Sequence, residues 1–160
     1  MGEKQNKSAL IAMSGGVDSS VAAHLMQSEG FRCQGATMRL LESDSGQNAA
    51  DAEAVCRRLG IPFAELDMVR EFEEAVIEKF VRVYEAGGTP NPCVDCNRRM
   101  KFSRLMEAAE AAGLCYVATG HYARVDRAPE TGRWLLRKAL DAGKDQSYFL
   151  YTLTQRQLAR

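Results

Sequence analysis

No run among the 160 residues approaches the roughly twenty consecutive apolar side chains that a membrane-spanning helix requires, which excludes such a helix. The stretch Met1 to Ser8 is polar and lacks the hydrophobic centre of a secretion signal, so the expected compartment is the cytoplasm, with no membrane partner. Net charge is missing too. The chain carries 21 Lys and Arg against 21 Asp and Glu, so no global excess announces a nucleic-acid partner. An RNA surface must then be a local patch, for which Arg98, Arg99, Lys101 and Arg104, then Arg133, Arg137, Lys138 and Lys144, are candidates; scattered solvated charges explain the same residues equally well. Internal repeats are absent. Also absent are the Gly-Lys-Ser or Gly-Lys-Thr of a Walker loop, the spaced glycines of a dinucleotide fingerprint, and a glycine-rich methionine-cofactor pattern after the first strand. Five cysteines without a secretion signal argue against a disulfide scaffold, because the cytosol keeps thiols reduced.

What is present is the balance of one compact domain, 46% hydrophobic and 26% charged, with no room for a second full domain. Short β-rich runs alternate with helical patterns, the signature of a parallel sheet with helices on both faces. Ala9 to Met13 reads as a buried strand. Val21, Ala22, Leu25 and Met26 then recur at helical spacing until Gly30. A second strand runs from Phe31 to Leu40 and a polar loop from Glu42 to Asn48. A helix over Ala49 to Leu59 stops at Gly60 with Pro62 beyond. Phe63 to Leu66 forms a third strand. Phe72, Val76, Phe80 and Tyr84 step by four along a long amphipathic helix that ends at Gly87 and Gly88. Thr89 to Cys96 reads as a loop stiffened by two prolines, Arg98 to Ala112 as a helix, and Tyr116 to Thr119 as a fourth buried strand. Tyr122 to Val125 and Trp134 to Arg137 look like a hairpin. Asp145 and Gln146 are placed to cap a helix beginning near Ser147. Thr154 and Gln157 have capping-box spacing, which starts a further helix close to Arg160. The domain is therefore expected over residues 1–153, with 154–160 opening a helix that leads into missing downstream domains.

Ser14-Gly15-Gly16-Val17-Asp18-Ser19-Ser20 follows the first strand directly and opens a helix. In that placement exposed backbone N–H groups and the helix dipole hold an anion. Gly15 and Gly16 allow close approach of phosphate oxygens, the serines add donors, and Asp18 is suited to a magnesium ion that bridges to phosphate. A helix cap in a tight turn accounts for one or two of these residues but not for the run. The run resembles the SGGxDS pyrophosphate loop of the ATP pyrophosphatase (PP-loop) superfamily. That resemblance implies a Rossmann-like, adenine-nucleotide-α-hydrolase α/β fold and activation of an oxygen by adenylation.

Thr89-Pro90-Asn91-Pro92-Cys93-Val94-Asp95-Cys96-Asn97, with Lys101-Phe102, resembles the TPNPxxxCNxxxKF segment of MnmA/TrmU-type tRNA-specific 2-thiouridylases. Ala118-Thr119-Gly120-His121-Tyr122 and Lys144-Asp145-Gln146-Ser147-Tyr148-Phe149-Leu150 resemble two further stretches of that family. The resemblance implies that Ala12, Met13, Ser14, Gly15, Gly16, Val17, Asp18, Ser19 and Met38 contact ATP, with Gly120 beside the adenylate. It implies that Asn91, Pro92 and Cys93 lie against the target base, that Cys96 is the catalytic nucleophile, and that Lys144, Asp145 and Gln146 touch tRNA. The implied substrate is the wobble uridine of tRNAs for Lys, Glu and Gln. Its C2 oxygen is adenylated by ATP with magnesium and then displaced by sulfur from a persulfide on a second, downstream cysteine, charged by a sulfur relay or a cysteine desulfurase.

Cys96 precedes the expected helix near Arg98, Arg99 and Lys101, a setting that favours thiolate. Cys33, Cys56 and Cys115 fall in strand or helix patterns and read as small core residues. Some relatives carry Asp at the position of Cys93. The Cys93-x-x-Cys96 pair leaves open an iron–sulfur cluster completed by a downstream cysteine, while a zinc site or thioredoxin-like exchange fits it poorly. His121 reads as structural rather than catalytic. The competing functions are another PP-loop adenylating enzyme and a non-catalytic nucleotide or iron–sulfur module. The 160 residues are expected not to complete thiolation alone.

Overall fold

A computed structural model describes residues 7–160, so most of the polar stretch Met1 to Ser8 lies outside the described residues. Two compact units share the chain. The first runs as far as Arg70 and resumes over Leu105–Gly120; the second comprises Glu71–Arg104 and His121–Arg160.

The first unit holds β1 (Ser8–Ala12), α1 (Val17–Ser28), β2 (Arg32–Arg39), α2 (Gln47–Leu59), β3 (Phe63–Asp67) and β4 (Tyr116–Ala118). The strands form one parallel sheet in the order β3-β2-β1-β4, with Ala12 beside Ala36 and Leu10 beside Val117. Alternation along β1 sends Ala9 and Ile11 into a cluster with Ala23, Ala52 and Cys56 of α1 and α2, and Leu10 into another with Leu105, Ala109 and Leu114. Both faces are therefore covered, as the alternating pattern requires. Cys33 and Cys56 are buried in the first cluster, whereas Cys115 is only half-buried and does not meet the core expectation fully. Cys56 lies against Gly35, where an added Cβ would overlap its sulfur. Gly60 ends α2 in the left-handed conformation.

The apolar residues that recur at helical spacing in α1 are not the ones that make its buried face. Val21 and Leu25 are 48% and 55% exposed, and the buried face of α1 is made by Ser19 and Ala23. Of the four spaced apolar residues Met26 packs against the core, beside the small Ser19 and Ala23.

Beginning at the end of the first unit and running on through the second, α3 (Val69–Phe72), a π-helical turn (Glu73–Ile77) and α4 (Glu78–Glu85) form one continuous helix. A second continuous helix joins α5 (Pro92–Cys96), a π-helical turn (Asn97–Lys101) and α6 (Phe102–Ala111), which crosses into the first unit. The segment read as a loop as far as Cys96 is thus helical from Pro92. Asn91 caps it through its Oδ1, which accepts the Val94 N–H at 3.2 Å, and Pro92 occupies the first helical position, where a missing N–H costs nothing. β5 (Arg124–Arg127) and β6 (Trp134–Arg137) pair antiparallel, followed by α7 (Ser147–Leu150) and α8 (Gln155–Leu158), the last opened by the expected Thr154–Gln157 capping box. Among the described residues no helix is long and apolar enough to cross a membrane.

Candidate nucleotide and thiol sites

The strand order reverses at β1: β2 and β3 lie to one side and β4 to the other. Ligands of open α/β sheets bind beyond the carboxyl ends of strands at such a reversal. Residues 13–16 leave β1 at this point and enter α1, whose N-cap Gly16 provides no side-chain cap. The first turn of α1 therefore presents backbone N–H groups of the kind that hold anions. Serine hydroxyls fix the loop from within. Ser19, almost fully buried, donates its hydroxyl to the Gly16 carbonyl at 3.1 Å and accepts the Ser14 N–H at 3.2 Å, while Ser20 donates to the same carbonyl at 2.8 Å.

Two glycines set how closely the surroundings approach. Gly15 has φ of 77°, and a Cβ there would lie 2.8 Å from the Asn48 carbonyl oxygen. Gly120, just after β4, would place a Cβ 2.9 Å from the Ser19 nitrogen and 3.1 Å from the Asp18 carbonyl carbon. The chain beyond β4 thus rests directly on the start of α1. Ala12 and Met13 lead into the loop, and the Met13 N–H donates to Ala36 at 2.8 Å. Met38 lies at the same sheet end as Ala12, two residues beyond its partner Ala36, half-buried against the Leu10 cluster. Ala12 to Ser19, Met38 and Gly120 are accordingly brought to one end of one sheet. Sequence reasoning missed Asn48 and Asp51, which back Gly15; only the distant contact reveals them.

Asp18 is exposed in the first turn of α1. Among the described residues no group of three or more His, Cys, Asp or Glu could hold a metal ion. A single carboxylate beside an anion site still fits magnesium, which takes few protein ligands and several phosphate or water oxygens. The Cys93 and Cys96 pair supplies two thiols, which do not complete a cluster site by themselves.

In the second unit Cys93 is exposed and Cys96 half-buried, three residues apart on one turn. The setting expected to favour a Cys96 thiolate is not found. Cys96 is helical (φ −59°, ψ −49°) inside a continuous helix, not ahead of one. Burial pushes its thiol above the ordinary value; the Lys101 ammonium acts the other way, and Cys93 adds to the rise. Around it, Asp95 accepts from Lys79 at 2.5 Å, and the buried Asn97 donates its amide to the Phe149 carbonyl at 3.1 Å. Asn91 and Pro92 shape the start of this helix. His121 lies against Phe102 with ring centres 5.9 Å apart and planes tilted by 33°, and its pKa is lowered to about 4 by burial and then by Lys101, which keeps it neutral.

The three residues expected at tRNA differ in what they have to offer. Asp145 is engaged by the Ala139 N–H at 2.7 Å and the Ser147 hydroxyl at 2.8 Å, contacts that hold its carboxyl below the usual range. Gln146 is bonded to Tyr122. Lys144 is exposed, its ammonium 4.9 Å from the Tyr122 ring centre. Among the other candidate cations, Arg104 pairs with Glu71 and Arg137 with Asp126. The neutral total conceals a division: the second unit carries fourteen Lys and Arg against ten acids, a net +4, and the first seven against eleven, a net −4.

The model of the tRNA methyl transferase HUP domain matches residues 7–160. The tRNA-specific 2-thiouridylase MnmA 1 of Syntrophus aciditrophicus is 50% identical over 155 residues, covering 92% of this chain and 41% of that protein. The tRNA-specific 2-thiouridylase MnmA of Chloroflexus aggregans is 49% identical, covering 94% of this chain and 45% of that protein. The chain thus spans less than half the length of these relatives. Among solved structures, glutamine-dependent NAD+ synthetase of Acinetobacter baumannii, in complex with adenosine diphosphate, is similar in fold, with a TM-score of 0.53 at 20% identity, over 73% of this chain and 22% of that one.

Proposed function

The chain belongs to the family of the tRNA methyl transferase HUP domain, and we propose that it is the ATP-binding, uridine-activating part of a tRNA-specific 2-thiouridylase. The observation that carries this reading is the serine-braced loop 14–20 at the reversal of strand order, with Gly120 resting on the first turn of α1. A loop of that form suits the phosphates of ATP, and the names of the relatives supply the substrate class. The sequence has no glycine-rich methionine-cofactor pattern after the first strand, which favours thiolation over the methyl transfer in the family's description.

In this reading Ala12 to Ser19, Met38 and Gly120 bind ATP, and Asp18 holds magnesium, which would supply charge neutralisation of the departing pyrophosphate. The wobble-uridine C2 oxygen of tRNAs for Lys, Glu and Gln attacks the α-phosphorus and pyrophosphate leaves. The terminal sulfur of a persulfide on a second cysteine, charged by a relay or a desulfurase, then attacks C2 and AMP leaves; a Cys96 thiolate attacks the carrier cysteine's sulfur, breaking the S–S bond to release thiouridine and forming a disulfide that a thiol reductant reopens. Asn91, Pro92 and Cys93 contact the base, Cys96 acts as nucleophile in sulfur transfer, and Lys144 to Gln146 touch the RNA. A cluster on Cys93 and Cys96 needs a further thiolate from outside the described residues; anaerobic iron uptake by the full-length protein that Cys93→Ala abolishes would support it. The setting is cytoplasmic, and residues 1–153 form the activating part.

The test is full-length protein with ATP, magnesium, a persulfide donor and tRNA, scored by pyrophosphate release and by the mass of the wobble uridine. Thiouridine that disappears in Cys96→Ala supports the reading. Pyrophosphate release without tRNA thiolation would point to another PP-loop adenylating enzyme.

A further inference from the structure

Tyr148 and Tyr151 are 66% and 65% exposed, although they flank the buried Leu150. They stand three residues apart at α7 and its end, with ring centres 6.0 Å apart at 36°, and Phe149 meets Tyr148 edge-on at 5.7 Å from below the surface. Held side by side, the two phenol rings leave about two thirds of their surface open to a ligand. Their mounting is rigid. Asp145 ties the Ser147 N–H and hydroxyl at the start of α7 to the Ala139 N–H, and the Asn97 amide holds the Phe149 carbonyl.

The segment that carries them is basic, which suits a polyanionic partner. Residues 121–160, which contain the pair, hold eight Lys and Arg against four acids, and the exposed Lys144 lies four residues before Tyr148. An exposed aromatic pair within a basic segment suits an unpaired nucleobase on a polyanionic strand, because every base offers a face for stacking while cations take the phosphates.

We propose that Tyr148 and Tyr151 form a stacking platform for an unpaired base of the tRNA, a contact that positions the RNA and takes no part in the chemistry. This rests on the reading of the chain as acting on tRNA. The platform binds by stacking, so its removal lowers affinity without changing the number of phosphates neutralised.

The experiment uses full-length protein and an anticodon stem-loop RNA, with affinity measured at several salt concentrations. The Tyr148→Leu/Tyr151→Leu double variant is expected to bind roughly tenfold or more weakly, at unchanged salt slope, while Tyr148→Phe/Tyr151→Phe binds as the parent does. Lys144→Gln instead lowers the slope. Nitration with tetranitromethane, read by mass spectrometry, gives a second measurement on the unaltered protein. Tyr148 and Tyr151 are expected to react without RNA and to be protected by it. Parent-like affinity of the leucine variant, or no protection by bound RNA, overturns the platform and leaves the tRNA reading intact. Tyrosines already unreactive without RNA would show a surface covered by protein and overturn it as well. Failure of the parent protein to bind tRNA would overturn the tRNA reading, and the platform with it.

Discussion

Gln146 and Tyr122 hold each other through two bonds: the Gln146 N–H donates to the Tyr122 carbonyl at 2.9 Å, and the Gln146 side-chain oxygen accepts the Tyr122 N–H at 2.9 Å. Gln146 therefore has a duty in the second unit separate from any contact with RNA. The pair fixes the start of α7 to the turn after His121.

Gln146→Ala removes the second of these bonds and is expected to destabilise the protein by about 1–2 kcal/mol in thermal or urea unfolding. Gln146→Glu keeps an acceptor facing Tyr122 and should retain stability while weakening RNA binding through added negative charge. Equal stability losses in both variants would show that the acceptor is not what matters.

Gly120→Ala forces a Cβ against the backbone of Asp18 and Ser19. An overpacked contact with main chain cannot relax by a rotamer change, so a cost of about 1–3 kcal/mol is expected, together with loss of ATP binding by calorimetry. Gly143→Ala, whose Cβ would meet only the Asp141 side chain at 3.3 Å, is the control and should bind ATP as the parent does.

His121 titrates near pH 4 in the folded protein against 6.5 for the free side chain. Between those values the unfolded chain holds more protons. Stability is fully present above pH 6.5 and falls as the pH drops towards 4, by at most about 3 kcal/mol for this group. His121→Gln should flatten that part of the stability curve. An unchanged slope from pH 6.5 to 4 in the variant would assign the effect to other groups.

Cys96, raised by burial, should be alkylated by iodoacetamide with a pH dependence displaced upward from that of an ordinary thiol. Lys101→Met removes the charge that opposes the rise and should move the profile further up. Peptide mass spectrometry separates this site from the exposed Cys93. A profile below the ordinary thiol range would restore the thiolate setting expected from the neighbouring cations.

The order of elements and the parallel sheet were legible because short β-rich runs alternate with helical patterns, and because Gly30, Gly60 and Gly87 stop helices in the left-handed conformation. The phosphate loop was legible as a run of small residues after a strand. Features that depend on contacts distant in sequence were not. The packing of Gly15 on Asn48 and of Gly120 on Ser19 leaves no local trace. The spacing of Val21, Ala22, Leu25 and Met26 marked α1 as a helix but not its buried face, which the small Ser19 and Ala23 make. Proline misled the reading at Pro92, where it begins a helix, and the electrostatics of Cys96 were judged from neighbouring cations without the burial that outweighs them.

The π-helical turn at Glu73–Ile77 bears on how the second unit tolerates change. Phe72, Val76, Phe80 and Tyr84 recur every four residues, a repeat that drifts around a helix of 3.6 residues per turn, and one wide turn takes up part of the drift. Such a turn is in effect an α-helix with one residue inserted. Removing a residue from 73–77 would restore regular hydrogen bonding and leave every later side chain of the helix facing nearly as it does now, with Lys79 still beside Asp95. A change of length is thus absorbed at this turn, whereas the same deletion within the regular turns of α4 would rotate every later side chain by about 100°.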